Sequence, residues 1–152
     1  MKKNKVEIRL FKIGDYIRFL KVRLGPRTMG EFSRSLLGYF IVALKDFSSK
    51  IKVYKFSVYY NERIAGFGAI YNERGFNELG IFILPGYRKK GIATEATKEL
   101  IKYCSAKLRY NKISVIIPEG KTTPEKIAKN LGFKLVKRDK KEKIVVYEKR
   151  IK

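Results

Sequence analysis

Glu78-Leu-Gly-Ile-Phe-Ile-Leu-Pro-Gly-Tyr-Arg-Lys-Lys-Gly-Ile-Ala-Thr-Glu-Ala96 is the stretch that decides the fold. An apolar run, Ile81 to Leu84, meets a Pro85-Gly86 turn. Three cations, Arg88, Lys89 and Lys90, follow, and a helix opens at Gly91. Positive side chains at a helix N-terminus oppose its dipole, each by about 0.3–1 kcal/mol, so three in succession predict an anion beside them. The unpaired N–H groups of a helix start supply a ready anion site. Strand, turn, cationic loop and helix therefore read as a cradle for a pyrophosphate.

Outward from this stretch, the helix continues to about Leu108, with Ala93, Ala96, Leu100, Cys104 and Leu108 on one apolar stripe. Upstream, Ile51 to Tyr60, Ile64 to Tyr71 and Phe76 to Leu84 read as an antiparallel meander, turning at Asn61-Glu62 and at Asn72 to Gly75. Gly66 and Gly68 fall on one face of the middle strand and predict room there for another backbone or a ligand. Further upstream lies an alternating strand, Val6 to Phe11, with Asp15 as the N-cap of a short helix carrying Tyr16, Leu20 and Leu24. A second helix opens at the capping-box pair Thr28 and Glu31 and runs to about Leu44. Downstream, Ile113 to Ile117 reads as a buried strand, and Thr123-Pro124 as a helix N-cap followed by Pro at the first helical position. Gly132 ends that helix, and a hairpin around Asp139-Lys140 closes the chain. The order is β-α-α-β-β-β-α-β-α-β-β, one mixed domain over residues 1–152.

Composition narrows the chemistry. The chain has no histidine and one cysteine, Cys104. Nucleophilic triads that need histidine, internal disulfides and Cys/His metal sites are therefore not expected. The longest apolar run, Tyr39 to Leu44, is far short of the roughly 18 residues of a membrane span. The basic Met1 to Lys5 is not followed by a signal-peptide core, so a cytoplasmic protein away from membranes is expected. Thirty-six Lys and Arg against 14 Asp and Glu give a net charge of +22. That excess attracts polyanions and acidic partners, although a lysine-rich source composition would give it equally. The cations are spread along the chain, so nucleic-acid or ribosome association would be diffuse.

The segment lacks both the Rossmann fingerprint and the Walker loop. Residues 78 to 133 instead resemble the GNAT acetyltransferase superfamily. Its pyrophosphate motif is Arg or Gln, two residues, Gly, one residue, then Gly or Ala, here Arg88-Lys-Lys-Gly-Ile-Ala93. The likeness is closer to the RimJ/RimL-type branch, which acetylates protein N-termini and related amines. It is carried by Glu78-Leu-Gly-Ile81, by Leu84 through Ala96, and by Asn130-Leu-Gly-Phe133.

The resemblance implies an α+β fold with one central, mostly antiparallel sheet of about seven strands, splayed at the cofactor site and flanked by about four helices. It implies acetyl-CoA. Beside Arg88, the amides of Lys89, Lys90, Gly91, Ile92, Ala93 and Thr94 would hold the pyrophosphate. The backbone of Ile81, Phe82 and Ile83 would pair with the pantetheine arm, with a bulge at Gly80 opening the sheet. An N–H near Phe82 or Ile83 would then polarise the thioester. Direct attack by an acceptor amine in a ternary complex needs no protein nucleophile. Glu78 is the first candidate base and Glu119 the second.

Two departures from the family pattern stand out. Ala128 replaces a tyrosine that serves many members as the acid, and Lys121-Thr-Thr-Pro124 replaces the RimL-type Asn-x-x-Ser. Tyr87, Tyr103 and Tyr110 remain alternative acids, Thr122 or Thr123 alternative hydroxyls. The expected function is N-acetylation of a protein or peptide amine. The competing one is a catalytically degenerate module of the same fold that binds nucleic acid through distributed lysines and the tyrosines Tyr54, Tyr59 and Tyr60.

Overall fold

The computed structural model describes residues 4–12, 14, 15, 52–73 and 76–151. The two helices expected between Asp15 and Leu44 lie outside these residues. Seven strands form one sheet: β1 (Val6–Leu10), β2 (Lys52–Tyr60), β3 (Arg63–Glu73), β4 (Phe76–Ile83), β5 (Lys112–Pro118), β6 (Lys134–Asp139) and β7 (Ile144–Arg150). Their spatial order is β1-β2-β3-β4-β5-β7-β6. Every neighbouring pair is antiparallel except β4 and β5, which run parallel. That pair is joined by α1 (Ile92–Ala106), and α2 (Thr122–Asn130) connects β5 to β6. No described helix is long and apolar enough to cross a membrane.

The meander forms as its composition predicts. Asn61 and Glu62 carry positive φ of 48° and 64°, the left-handed pair of a two-residue hairpin turn whose twist matches the strands. One side of the sheet carries the main core. Phe56, Ile70, Leu79, Ile113, Ile117, Val145 and Tyr147 meet Leu100 and Cys104 of α1 and Ala128 of α2. The expected α1 stripe is therefore the buried one, with Ala93 and Leu108 at its margins. Burial pushes the Cys104 thiol up to about 12, so it is inert packing.

Of the two occupants expected beside the glycine pair on β3, the structure shows the backbone. A Cβ on Gly66 would lie 2.2 Å from the Phe82 carbonyl oxygen, and one on Gly68 would lie 3.1 Å from Leu100 Cδ1. The space belongs to β4 and α1 and leaves none for a ligand.

Two caps also differ. The Asp15 carboxylate accepts the Lys12 N–H (3.0 Å), together with Ser57 Oγ (2.9 Å) and the Tyr59 hydroxyl (2.6 Å). Reaching back three residues is the role of the third helical residue in a capping box, not of the N-cap. In α2 the N-cap is Lys121, without a side-chain cap bond. Gly120, at φ 81°, turns the chain early, so the first helical hydrogen bond runs from Glu125 N–H to the Lys121 carbonyl. Pro124 thus becomes the third helical residue, where a missing N–H still costs no intrahelical bond.

Candidate active site

β4 and β5 touch at a single rung, Glu78 opposite Ser114. Beyond it they diverge, and the sheet opens. The expected bulge at Gly80 is not the cause: β4 pairs with β3 without interruption from Phe76 to Ile83. An extra residue at Gly80 would break that ladder, so the divergence lies wholly on the β5 side.

The same ladder fixes which backbone groups face the gap. Leu84 N–H donates to the Ala65 carbonyl of β3 at 2.8 Å. Alternation in an antiparallel pair then turns Phe82, Gly80 and Glu78 backbone groups toward β3 and those of Ile83, Ile81 and Leu79 toward β5. The exposed backbone edge is therefore that of Ile81 and Ile83, not Phe82. Arg88 Nε donates to the Ile83 carbonyl at 2.9 Å, which ties the loop back onto the strand end.

The loop beyond is shaped for an anion. Pro85–Tyr87 forms a 3-10 turn with Pro at its start. Lys89 has φ 61° and Gly91 has φ 73°, with Lys90 between them outside that region. Such alternation of hand turns successive N–H groups toward one point. The first helical bond of α1 is Glu95 N–H to the Gly91 carbonyl. The N–H groups of Ile92, Ala93 and Thr94 therefore have no acceptor within the helix, and they add the positive end of its dipole.

These groups border a cleft of about 910 Å³. Glu78, Gly80, Ile81 and Ile83 form one wall with Arg88, Lys89 and Gly91 to Thr94, and Val115 to Pro118 and Lys121 to Pro124 form the other. Glu78 is the only acid among the described lining residues, against the cations Arg88, Lys89 and Lys121. Burial holds its carboxyl above the ordinary range. Tyr71 stands directly opposite it on β3, with its phenol raised by burial and then by the Glu78 charge.

The structure thus brings together Glu78, Ile81, Ile83, Arg88, Lys89, Gly91, Ile92, Ala93 and Thr94. Three other candidates stand outside the lining residues. Phe82 packs with Tyr59, Leu84 and Tyr87 on the reverse face, with the Arg88 guanidinium 5.6 Å from its ring centre. Lys90 rests over Tyr87. Glu119 is exposed in the turn after β5, its N–H donating to the Lys143 carbonyl. Of the three alternative tyrosines only Tyr87 borders the cleft. Tyr103 packs edge-on against Phe56, and Tyr110 lies against Tyr54. Thr123, expected as the cap, and Thr122, an alternative hydroxyl, both line the cleft, and the N-cap is Lys121. Tyr59 is 4% exposed, so it offers no stacking surface to a nucleic acid. Sequence reasoning missed Tyr71 and Ser114. The first follows from the register of the meander, since pairing residue 73 with 76 sets residue 71 against 78. The second needs the parallel pairing across α1, which no local signal gives.

A family model for the acetyltransferase (GNAT) domain matches residues 6–134. No curated protein sequence matches the chain. Among solved structures, the chain is similar to the Campylobacter jejuni N-acetyltransferase PseH in complex with acetyl coenzyme A. Identity is 19% and the TM-score 0.69, over 97% of this chain and 100% of that one. It is also similar to a mutant of the Vibrio cholerae spermidine N-acetyltransferase SpeG (14%, TM-score 0.69, 95% and 93%). A third is a Vibrio cholerae protein provisionally described as a ribosomal-protein-serine acetyltransferase (15%, TM-score 0.66, 99% and 98%). At these identities the likeness is one of fold.

Proposed function

The chain belongs to the acetyltransferase (GNAT) family, and from that membership we propose that it moves an acetyl group from acetyl-CoA to a primary amine of a protein or peptide, the N-terminal amine first, as in the RimJ/RimL-type branch. One observation carries the reading. The backbone edge of Ile81 and the Ile83 N–H, which no β5 rung covers, lead directly to the amides at the start of α1 that lack a helical acceptor.

That arrangement suits the cofactor. Amides from Lys89 to Thr94, with Arg88 and Lys89, fit a pyrophosphate, and the strand edge fits an amide-bearing arm. Acetyl-CoA supplies an acetyl group already activated as a thioester. Glu78, held protonatable by burial, accepts the proton of the acceptor amine, a role that needs a pKa near working pH. The Ile81 and Ile83 N–H groups are placed to polarise a carbonyl. Arg88, Lys89 and Lys121 create a positive field that favours a departing sulfur anion, so Ala128 in the tyrosine position is compatible with turnover.

The charge balance supports this choice of acceptor. Among the described lining residues the one carboxylate suits a single amine, whereas a polyamine brings several ammonium groups to a chain of net charge +22. A peptide with acidic residues after its first position meets the opposite sign. The test is initial-rate acetylation by the pure protein of acidic and basic N-terminal peptides, spermidine and an amino sugar. We expect the acidic peptide to have the highest kcat/KM, by about tenfold or more. Fast turnover of spermidine beside slow turnover of every peptide would overturn the acceptor assignment.

A further inference from the structure

On the sheet face that carries Glu78, one row of side chains crosses four neighbouring strands: Tyr71 on β3, Glu78 on β4, Ser114 on β5 and Glu148 on β7. Ser114 is 1% exposed, and its Oγ has no hydrogen-bond partner. It is the only such buried side-chain atom among the described residues. A buried hydroxyl without a partner costs stability that alanine would not, and such groups are rare enough in native proteins to call for a reason.

Its position supplies one. Ser114 faces Glu78 across the only rung that joins β4 to β5, and neighbouring strands lie about 4.8 Å apart. At that spacing a rotation about χ1, or one bridging water, brings the hydroxyl to the carboxylate. The other groups on this face leave that place to Ser114. Lys112 of β5 pairs with Glu148 of β7 at 3.3 Å. Tyr71 meets Glu78 from the β3 side. No cation pairs with Glu78 among the described residues.

We propose that Ser114 is the positioning residue for Glu78: its hydroxyl donates a hydrogen bond to the carboxylate, directly or through one water, and keeps it ionised and aimed to receive a proton. The inference rests on Glu78 as the base. The proton moves from the acceptor nitrogen to a Glu78 oxygen, and Ser114 keeps its own proton throughout. The hydroxyl stabilises the charged form, so it lowers a pKa that burial alone raises.

Ser114→Ala tests this with readouts beyond rate. The expected protein melts at the same temperature or higher and binds coenzyme A as tightly as before. The Glu78 carboxyl pKa, read by carbon-13 NMR in the free protein, rises by about one pH unit, the worth of a hydrogen bond to a charged group. The acid limb of kcat/KM rises with it, and the rate below that limb falls about tenfold. In the Glu78→Gln background the same change costs nothing further. An unmoved Glu78 pKa, or an equal loss of rate in both backgrounds, would overturn the inference. If instead Glu78→Gln alone leaves the rate intact, the base assignment fails, while the NMR shift still decides whether the two side chains interact.

Discussion

Glu78→Gln is expected to lower kcat/KM for the acceptor amine by about a hundredfold or more while leaving coenzyme A affinity unchanged. Glutamine keeps the shape and the half-buried position on β4 but cannot take a proton. The effect comes from position as much as from chemistry. Glu78 is the sole acid among the described lining residues, at the point where β4 parts from β5. Its pH behaviour separates a base from a bystander. Burial raises the carboxyl above its ordinary value, so the acid limb of kcat/KM lies above the ordinary carboxylate range and disappears in the variant. Stability moves in a fixed direction too. The unfolded chain gives up this proton at lower pH than the folded one, so the folded state binds more protons between the two pKa values. The wild-type protein therefore loses stability as pH rises through that window, and Glu78→Gln does not. At neutral pH the variant should be at least as stable as the parent, and much slower. Full activity with Glu78→Gln would transfer the base role elsewhere.

Gly91→Val should weaken coenzyme A binding by about 10- to 100-fold without unfolding the protein. Gly91 has φ 73°, a conformation that a β-branched residue adopts only under strain of about 1–3 kcal/mol. A Cβ there meets nothing within 4 Å, so the penalty is conformational and not steric. Free of ligand, the variant relieves the strain by leaving the left-handed region, which swings the Ile92 and Ala93 amides off their common target. Binding must then restore the strained geometry, and the strain energy reappears as lost affinity. The expected order of affinity is Gly, then Asn, which tolerates this region, then Ala, then Val. Calorimetry on the four proteins reads it. Equal affinities would mean that the loop amides do not hold the ligand.

The strand, turn and helix start around the cationic loop were legible because their signals are local. Three cations, a Pro-Gly turn and a glycine before an apolar stripe occupy a dozen consecutive residues. The meander was legible for the same reason, with Asn61-Glu62 marking one turn. What failed was non-local. The gap in the sheet was anticipated, but its cause was placed at Gly80, whereas the backbone shows an unbroken β3–β4 ladder and a parting on the other side. The final hairpin was foreseen, but nothing along the chain shows that β7 inserts between β5 and β6. Thr123 looked like a cap because Thr-Pro commonly opens a helix, and the left-handed Gly120 moved the start upstream. Gly66 and Gly68 announced close approach correctly and left open whether a backbone or a ligand approaches, which the β4 backbone decides.

The most direct test of the central claim is titration calorimetry of coenzyme A into the wild-type protein at low salt. Saturable binding at one site per chain is expected, with affinity falling as salt is raised, because Arg88, Lys89 and the α1 amides would meet the phosphates. No binding at low salt would contradict it.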